Sequence, residues 1–149
     1  MEPWELAARE AIRDLVARYA QGVDRGRFDE VAGLFTDAGV LQLSDDRRAE
    51  GRTAIAAVFA HAGGSLRAAT ATPLVRHHVT SQTIVLETSI AARGVAYFLV
   101  LTGHGLDHWG LYHDRYYAID GRWHFQSRHV RLDGTMPGSW AAARRGPTT

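Results

Sequence analysis

The chain has 149 residues, 46% of them hydrophobic and 22% charged, and a formal net charge of +1. That size and balance fit one globular domain around one core, and the near-neutral charge gives no electrostatic case for nucleic acid or an anionic membrane as partner. The absence of cysteine excludes disulfides, thiolate nucleophiles and cysteine-based zinc sites.

No apolar run is long enough to span a bilayer, and the N-terminus lacks the basic-then-apolar pattern of a signal peptide, so a cytoplasmic location is expected. A helix is predicted over residues 3–23, because Ile12, Leu15, Val16, Tyr19 and Val23 recur at helical spacing. Gly22 and Gly26 bracket its end. Asp24 falls just past the last turn, near the rim of the apolar face. It either pairs with its neighbour Arg25 or points back into the interior beside Tyr19.

A short second helix is predicted over 27–35, burying Phe28, Val31, Leu34 and Phe35. A turn at 36–39 and a short strand at 40–43 follow, then a polar bend at Ser44-Asp45-Asp46. A third helix starts at Gly51-Arg52-Thr53, with Thr53 as a possible N-cap. It presents Ile55, Val58 and Phe59 inward and stops at Ala62-Gly63-Gly64.

The remainder reads as strand. The run from Arg76 to Leu86 is rich in β-branched residues, which suit a pleated surface. His77 and His78 open it and must face opposite sides, because side chains alternate along a strand. Further strands are expected over 91–105, 109–119 and 122–131, the last two joined by a two-residue turn at Asp120-Gly121. Helices followed by long antiparallel strands predict an α+β fold, with the helices on one face of a curved sheet. One domain over 1–140 is expected, with 141–149 as a flexible tail.

Six motifs in this order resemble the SnoaL-like branch of the nuclear transport factor 2-like superfamily. They are residues 19–25 (Tyr-Ala-Gln-Gly-Val-Asp-Arg), 34–38, 51–55, Arg76-His77-His78-Val79-Thr80-Ser81, 110–115 and 121–128. The resemblance runs from about Glu5 to Asp133. It implies a cone-shaped α+β barrel, a curved sheet wrapped around three helices, with a deep, largely apolar cavity. It also implies that no metal or organic cofactor is used. In the dehydratase and dehydrochlorinase group of this superfamily, an aspartate after the first helix and a histidine on the first long strand form a dyad. Asp24 and His77 match those positions. The family's strand usually carries Thr-Asn where this chain has Thr80-Ser81.

Together, an aspartate on one imidazole nitrogen would fix the tautomer and leave the other nitrogen as a base. Such a base could remove a proton beside a carbonyl or a leaving group, then return it to a departing hydroxyl. Tyr19 is the candidate donor to a developing enolate oxygen. Tyr112, Asp114 and Tyr116 share one face of their strand, and Arg128 is the expected partner of Asp114. That pair either closes the sheet structurally or anchors substrate. Strict alternation puts Arg128 on the face opposite Trp123 and Phe125; a bulge near Gln126-Ser127 would be needed to unite them, so the pattern alone does not fix which face Arg128 occupies. Phe35, Phe59, Val79, Tyr112 and Asp114 are the expected substrate-binding residues.

The segment His104-Gly105-Leu106-Asp107-His108 is rich in potential metal ligands. It matches no zinc spacing and is expected to be a solvated hairpin. The chain is therefore expected to act on a small hydrophobic oxygenated molecule as a dehydratase-type lyase or an isomerase. A non-catalytic small-molecule binder and a polyketide or terpenoid cyclase are the alternatives. A homo-oligomer is expected, because apolar residues among Tyr97, Leu99, Trp109 and Trp123 would otherwise lie exposed; the resemblance implies a dimer or a trimer, with the trimer preferred.

Overall fold

The computed structural model describes residues 1–143. Helix α1 spans Pro3–Asp24, α2 Phe28–Gly33, α3 Arg52–Ala69 and α4 Trp140–Ala143. The strands are β1 Phe35–Ser44, β2 Arg47–Glu50, β3 Val75–Leu86, β4 Ala91–Thr102, β5 Gly105–Ile119 and β6 Arg122–Thr135. They form one six-stranded sheet in the order β2-β1-β6-β5-β4-β3. All neighbours run antiparallel except β1 and β6, which are parallel. The sheet curves around the helices without closing, so β2 and β3 are its edges. No helix among the described residues is long and apolar enough to cross a membrane.

Helix α1 opens with a capping box between Glu2 and Glu5, which satisfies backbone donors the first turn would otherwise leave unpaired. Ala8, Ile12, Leu15, Val16, Tyr19 and Ala20 are its buried stripe. Gly26, at φ +71°, turns the chain into α2. A side chain at Gly22 would come within 2.7 Å of Val31, so glycine there lets α2 pack against α1.

Three elements differ from expectation. Helix α3 runs through Gly63-Gly64 to Ala69. Phe28 packs against Gly63, and Leu66 is buried one turn on, so tertiary contact outweighs the low helix propensity of the glycine pair. The N-cap of α3 is Gly51 and not Thr53. Residues 36–39 lie inside β1, where the register against β6 shifts between Phe35 and Val40. The charged strand β2 has no alternating apolar pattern, and only its Ala49 is buried. The Asp120-Gly121 turn has positive φ at both residues (49° and 74°), as a type I′ hairpin requires.

The concave side is filled with aromatic rings. Tyr19 meets Phe35, Phe59, Tyr112 and Phe125 at centroid separations of 5.5–6.3 Å. Trp123 belongs to this interior and not to the outer face, because it shares the inward side of β6 with Phe125. Tyr97 is 55% exposed on the convex face. The expected tail at 141–149 begins as helix: Ala141 and Ala142 continue α4, and residues 144–149 lie outside the described residues.

Candidate active site

Two bulges decide which side chains point inward. In β3, Thr80 pairs with Tyr97 and Thr83 with Val95, so Ser81 and Gln82 together face Ala96. Ser81 takes a φ of 51°, in the left-handed region. His77 and Val79 turn inward before this bulge, and Gln82 and Ile84 after it. In β6, Phe125 pairs with Tyr116 and Ser127 with Arg115, which leaves Gln126 without an opposite residue. This bulge decides the face that strand alternation left open, and it brings Arg128 to the same interior as Phe125.

Asp24 and His77 meet. Asp24 ends α1, and its Oδ1 lies 2.6 Å from His77 Nδ1. The His77 backbone N–H also donates to Asp24, at 3.0 Å to Oδ2. Because β3 is an edge strand, this N–H has no strand partner, and the aspartate takes that place. The carboxylate on Nδ1 selects the tautomer with Nε2 unprotonated when the ring is neutral. Nε2 takes no hydrogen bond from the described residues. The two side chains are 15% and 9% exposed. His77 borders a cleft of about 470 Å³ between α1 and β3, lined also by Val16, Ala20, Val79 and Gln82.

Arg128 is fully buried. Its Nε and Nη2 hold both oxygens of Asp114 at 2.8 and 2.7 Å. The guanidinium carbon lies 3.8 Å from the ring centre of Tyr112, 4.2 Å from that of Tyr19 and 4.4 Å from that of Phe125. Burial opposes the charge on Arg128, but Asp114 outweighs it and raises its pKa. Tyr116 donates to Asp114 at 2.7 Å and accepts from Gln82 at 3.2 Å. A hydrogen-bonded chain thus runs from the cleft wall to Arg128. Burial raises the pKa of Tyr116, Tyr112 and Tyr19, with Arg128 pulling the other way. Arg128 Nη1 is buried and has no hydrogen-bond partner among the described residues.

Of the expected site residues, His77 and Val79 line the cleft, and Asp24 stands behind His77, on its Nδ1. Tyr19, Tyr112, Phe35, Phe59, Asp114 and Arg128 form the packed interior beside it and do not line it. Gln82 was not anticipated. Only the left-handed bend at Ser81, a conformation asparagine takes more readily than serine, could have signalled that the strand changes phase there.

The expected solvated hairpin at 104–108 is corrected. The turn is confined to Gly103-His104, while Asp107 and His108 are buried on β5. Asp107 accepts from Ser139 Oγ (2.7 Å) and from the backbone N–H of Trp140 (2.9 Å), and thereby anchors α4. His108 Nδ1 lies 2.7 Å from the same carboxylate. Among the described residues no three such groups gather as a metal site.

A curved, unclosed sheet around helices defines the α+β fold class of this chain. The chain belongs to the SnoaL-like domain family, whose model matches residues 4–129. Among curated proteins none matches. Similar solved structures include a candidate scytalone dehydratase from Novosphingobium aromaticivorans, 22% identical with a TM-score of 0.81 over 91% of both chains. A hexachlorocyclohexane dehydrochlorinase (LinA, type 2) is 18% identical, with a TM-score of 0.77 over 89% of this chain and 90% of that one. ActVI-ORFA from Streptomyces coelicolor is 23% identical, with a TM-score of 0.75 over 85% of this chain and 98% of that one. At these identities the likeness concerns the fold.

Proposed function

We propose that this chain is a cofactor-independent lyase of dehydratase type, acting on a small hydrophobic oxygenated molecule, with His77 as proton-transfer group and Asp24 as its orienting partner. Family membership, and relatives named as dehydratase and dehydrochlorinase, support small-molecule lyase, isomerase or cyclase chemistry. The observation that carries the finer reading is the 2.6 Å contact between Asp24 and His77 Nδ1, which presents Nε2 as the base beside a cleft. His77 would take a proton from the carbon next to a carbonyl, and the electron pair would expel a hydroxyl from the next carbon. Acid–base catalysis of this kind supplies roughly 10²–10⁴-fold.

The test uses proton abstraction itself. Aryl ketones carrying a β-hydroxyl are incubated in D₂O and followed by proton NMR for exchange at the α-carbon and for loss of water. His77→Ala and Asp24→Asn are each expected to lower both rates by about 10²-fold or more. Unchanged exchange in His77→Ala would leave a binding protein as the better reading.

A further inference from the structure

We propose that the end of the cleft away from His77 is a carboxylate subsite, formed by Arg13 of α1 and Gln82 of β3. The substrate is then a hydrophobic acid that carries its carboxylate roughly 10–13 Å from the carbon His77 deprotonates. This assignment rests on the reading of the cleft as the reaction site.

Two contacts fix how α1 lies along β3. At one end Asp24 holds His77. At the other, Arg9 Nη1 donates to the carbonyl of Ile84 at 2.7 Å. Asp24 to Arg9 is about 22 Å of helix. His77 to Ile84 is about 20 Å of strand, since the bulge adds a residue without adding length. Arg13 lies about 16 Å along the helix from Asp24, and Gln82 about 13 Å along the strand from His77. The two therefore come nearly level, and both line the cleft of about 470 Å³. Val16, Ala20 and Val79 line the stretch between them and His77.

This end of the cleft is cationic, and no carboxylate lines the cleft at all. Asp14, next to Arg13, is turned to Arg18 at 2.9 Å. Among the described residues no acidic side chain pairs with Arg13, or with Arg9 one turn earlier on α1. Like charges at this spacing weaken a helix, and an anion in the cleft would offset that. Gln82 supplies a second donor, and its direction is preset. The Tyr116 hydroxyl donates to Asp114 at 2.7 Å, so its oxygen accepts from the Gln82 amide, at 3.2 Å. That fixes which end of the amide is nitrogen. The second N–H of Nε2 has no partner among the described residues. The sealed Arg128–Asp114 pair thus orients, through Tyr116, a donor in the cleft wall.

A substrate carboxylate would accept from the Arg13 guanidinium and from the Gln82 N–H, while Val16, Ala20 and Val79 take the apolar body. Hydrogen bonds to an ionised group are about twice as strong as neutral ones, so an acid is preferred over its neutral amide. Holding the acid at this end also fixes where the other end falls. Binding remote from the reacting carbon thereby orients that carbon against His77 Nε2. Two linked rings with a ketone at the far end have the length this spacing asks for.

The test uses a biphenyl with an acetyl group at one para position and a carboxylate at the other, and the matching primary carboxamide as neutral control. Dissociation constants are measured by titration calorimetry on the full chain. The acid is expected to bind about tenfold or more tighter than the amide. Added salt should narrow that preference, because Arg13 is exposed. Arg13→Gln should bring the acid-to-amide ratio to near one, and Gln82→Met should reduce it by about threefold. A thermal melt matching the parent shows that each variant is folded. Equal affinity for acid and amide in the parent, a ratio that Arg13→Gln leaves intact, or failure of both probes to bind overturns the subsite. An unchanged ratio in Gln82→Met removes Gln82 from it. Exchange of the acetyl protons in D₂O separates these results from failure of the underlying reading. His77→Ala should stop the exchange and keep the preference for the acid. If the preference stands while exchange is indifferent to His77→Ala, the subsite is that of a binding protein and the elimination reading is lost.

Discussion

The two carboxylate-bound side-chain pairs of the interior have nearly the same contact distances and opposite surroundings. His77 and Asp24 meet at 2.6 Å on a sheet edge beside a cleft, partly exposed. Arg128 and Asp114 meet at 2.7 and 2.8 Å with no exposure at all, between the rings of Tyr19, Tyr112 and Phe125. A guanidinium cannot give up its proton in a protein, whereas an imidazole exchanges one near neutrality. The sealed pair is therefore a fixed electrostatic element of the core. The edge pair is the one able to move protons. Burial alone would single out the sealed pair, whereas proton exchange singles out the edge pair.

The largest expected effect breaks the sealed pair. Arg128→Met strands Asp114 as a buried charge and should cost about 3–5 kcal/mol in urea unfolding. Asp24→Asn, on the edge, should cost no more than about 1 kcal/mol while lowering activity. Removing both charges, as Arg128→Met with Asp114→Leu, should recover much of the loss. If Arg128→Met costs no more than Asp24→Asn, the contrast between the two pairs does not hold.

A smaller effect comes from Asp107 and His108, which stand between those extremes. Burial works against the Asp107 charge, but hydrogen bonds from Ser139, His108 and Trp140 outweigh it and hold the pKa below the usual carboxylate value. A depressed folded pKa gives stability that is fully present above the unfolded value of about 3.9 and is lost as pH falls through the folded one. Acidification below about pH 4 should therefore release α4. Amide exchange at Trp140 and Ala141 should accelerate there ahead of the core strands. Asp107→Asn should speed the same amides at neutral pH and cost about 1–3 kcal/mol. Exchange at Trp140 that follows the core at every pH would show that α4 is not held by this carboxylate.

Much of this was legible in the chain. The α1 stripe, the hairpin at Asp120-Gly121 and the inward set Tyr112, Asp114 and Tyr116 follow from periodicity and turn chemistry, which are local. At Arg128 the alternation located where a bulge would have to fall, but only the register shows that one is there and which face the residue takes. The two halves of the edge pair, 53 residues apart, were named together only through resemblance. What stayed hidden depended on tertiary contact. The glycines of α3 read as a stop because Phe28, which packs on Gly63, is far away in sequence. The run from His104 to His108 read as polar loop because α4, which buries Asp107, comes some thirty residues later. Strand β2 carries no apolar alternation from which to read it.

The smallest expected effect lies at the joint between the two pairs. Ser81 sits where β3 changes phase, so that His77 faces inward on one side of it and Gln82, the start of the chain to Tyr116 and Asp114, on the other. At φ 51° a serine is strained, and asparagine adopts that region more readily. Ser81 is exposed, and among the described residues its side chain has no hydrogen bond to lose. Ser81→Asn should therefore raise stability by a few tenths of a kcal/mol, about 1–3 °C in Tm for a domain of this size. Activity should hold, because the bulge and the phase on both sides are kept. Ser81→Val tests the opposite sense. A β-branched residue resists positive φ, so the strand is driven toward regular pairing, which would turn Gln82 outward or displace His77 from Asp24. Melting temperature and turnover should then fall together. A Ser81→Val chain as stable and as active as the parent would mean that the bulge is not what couples the edge pair to the sealed one.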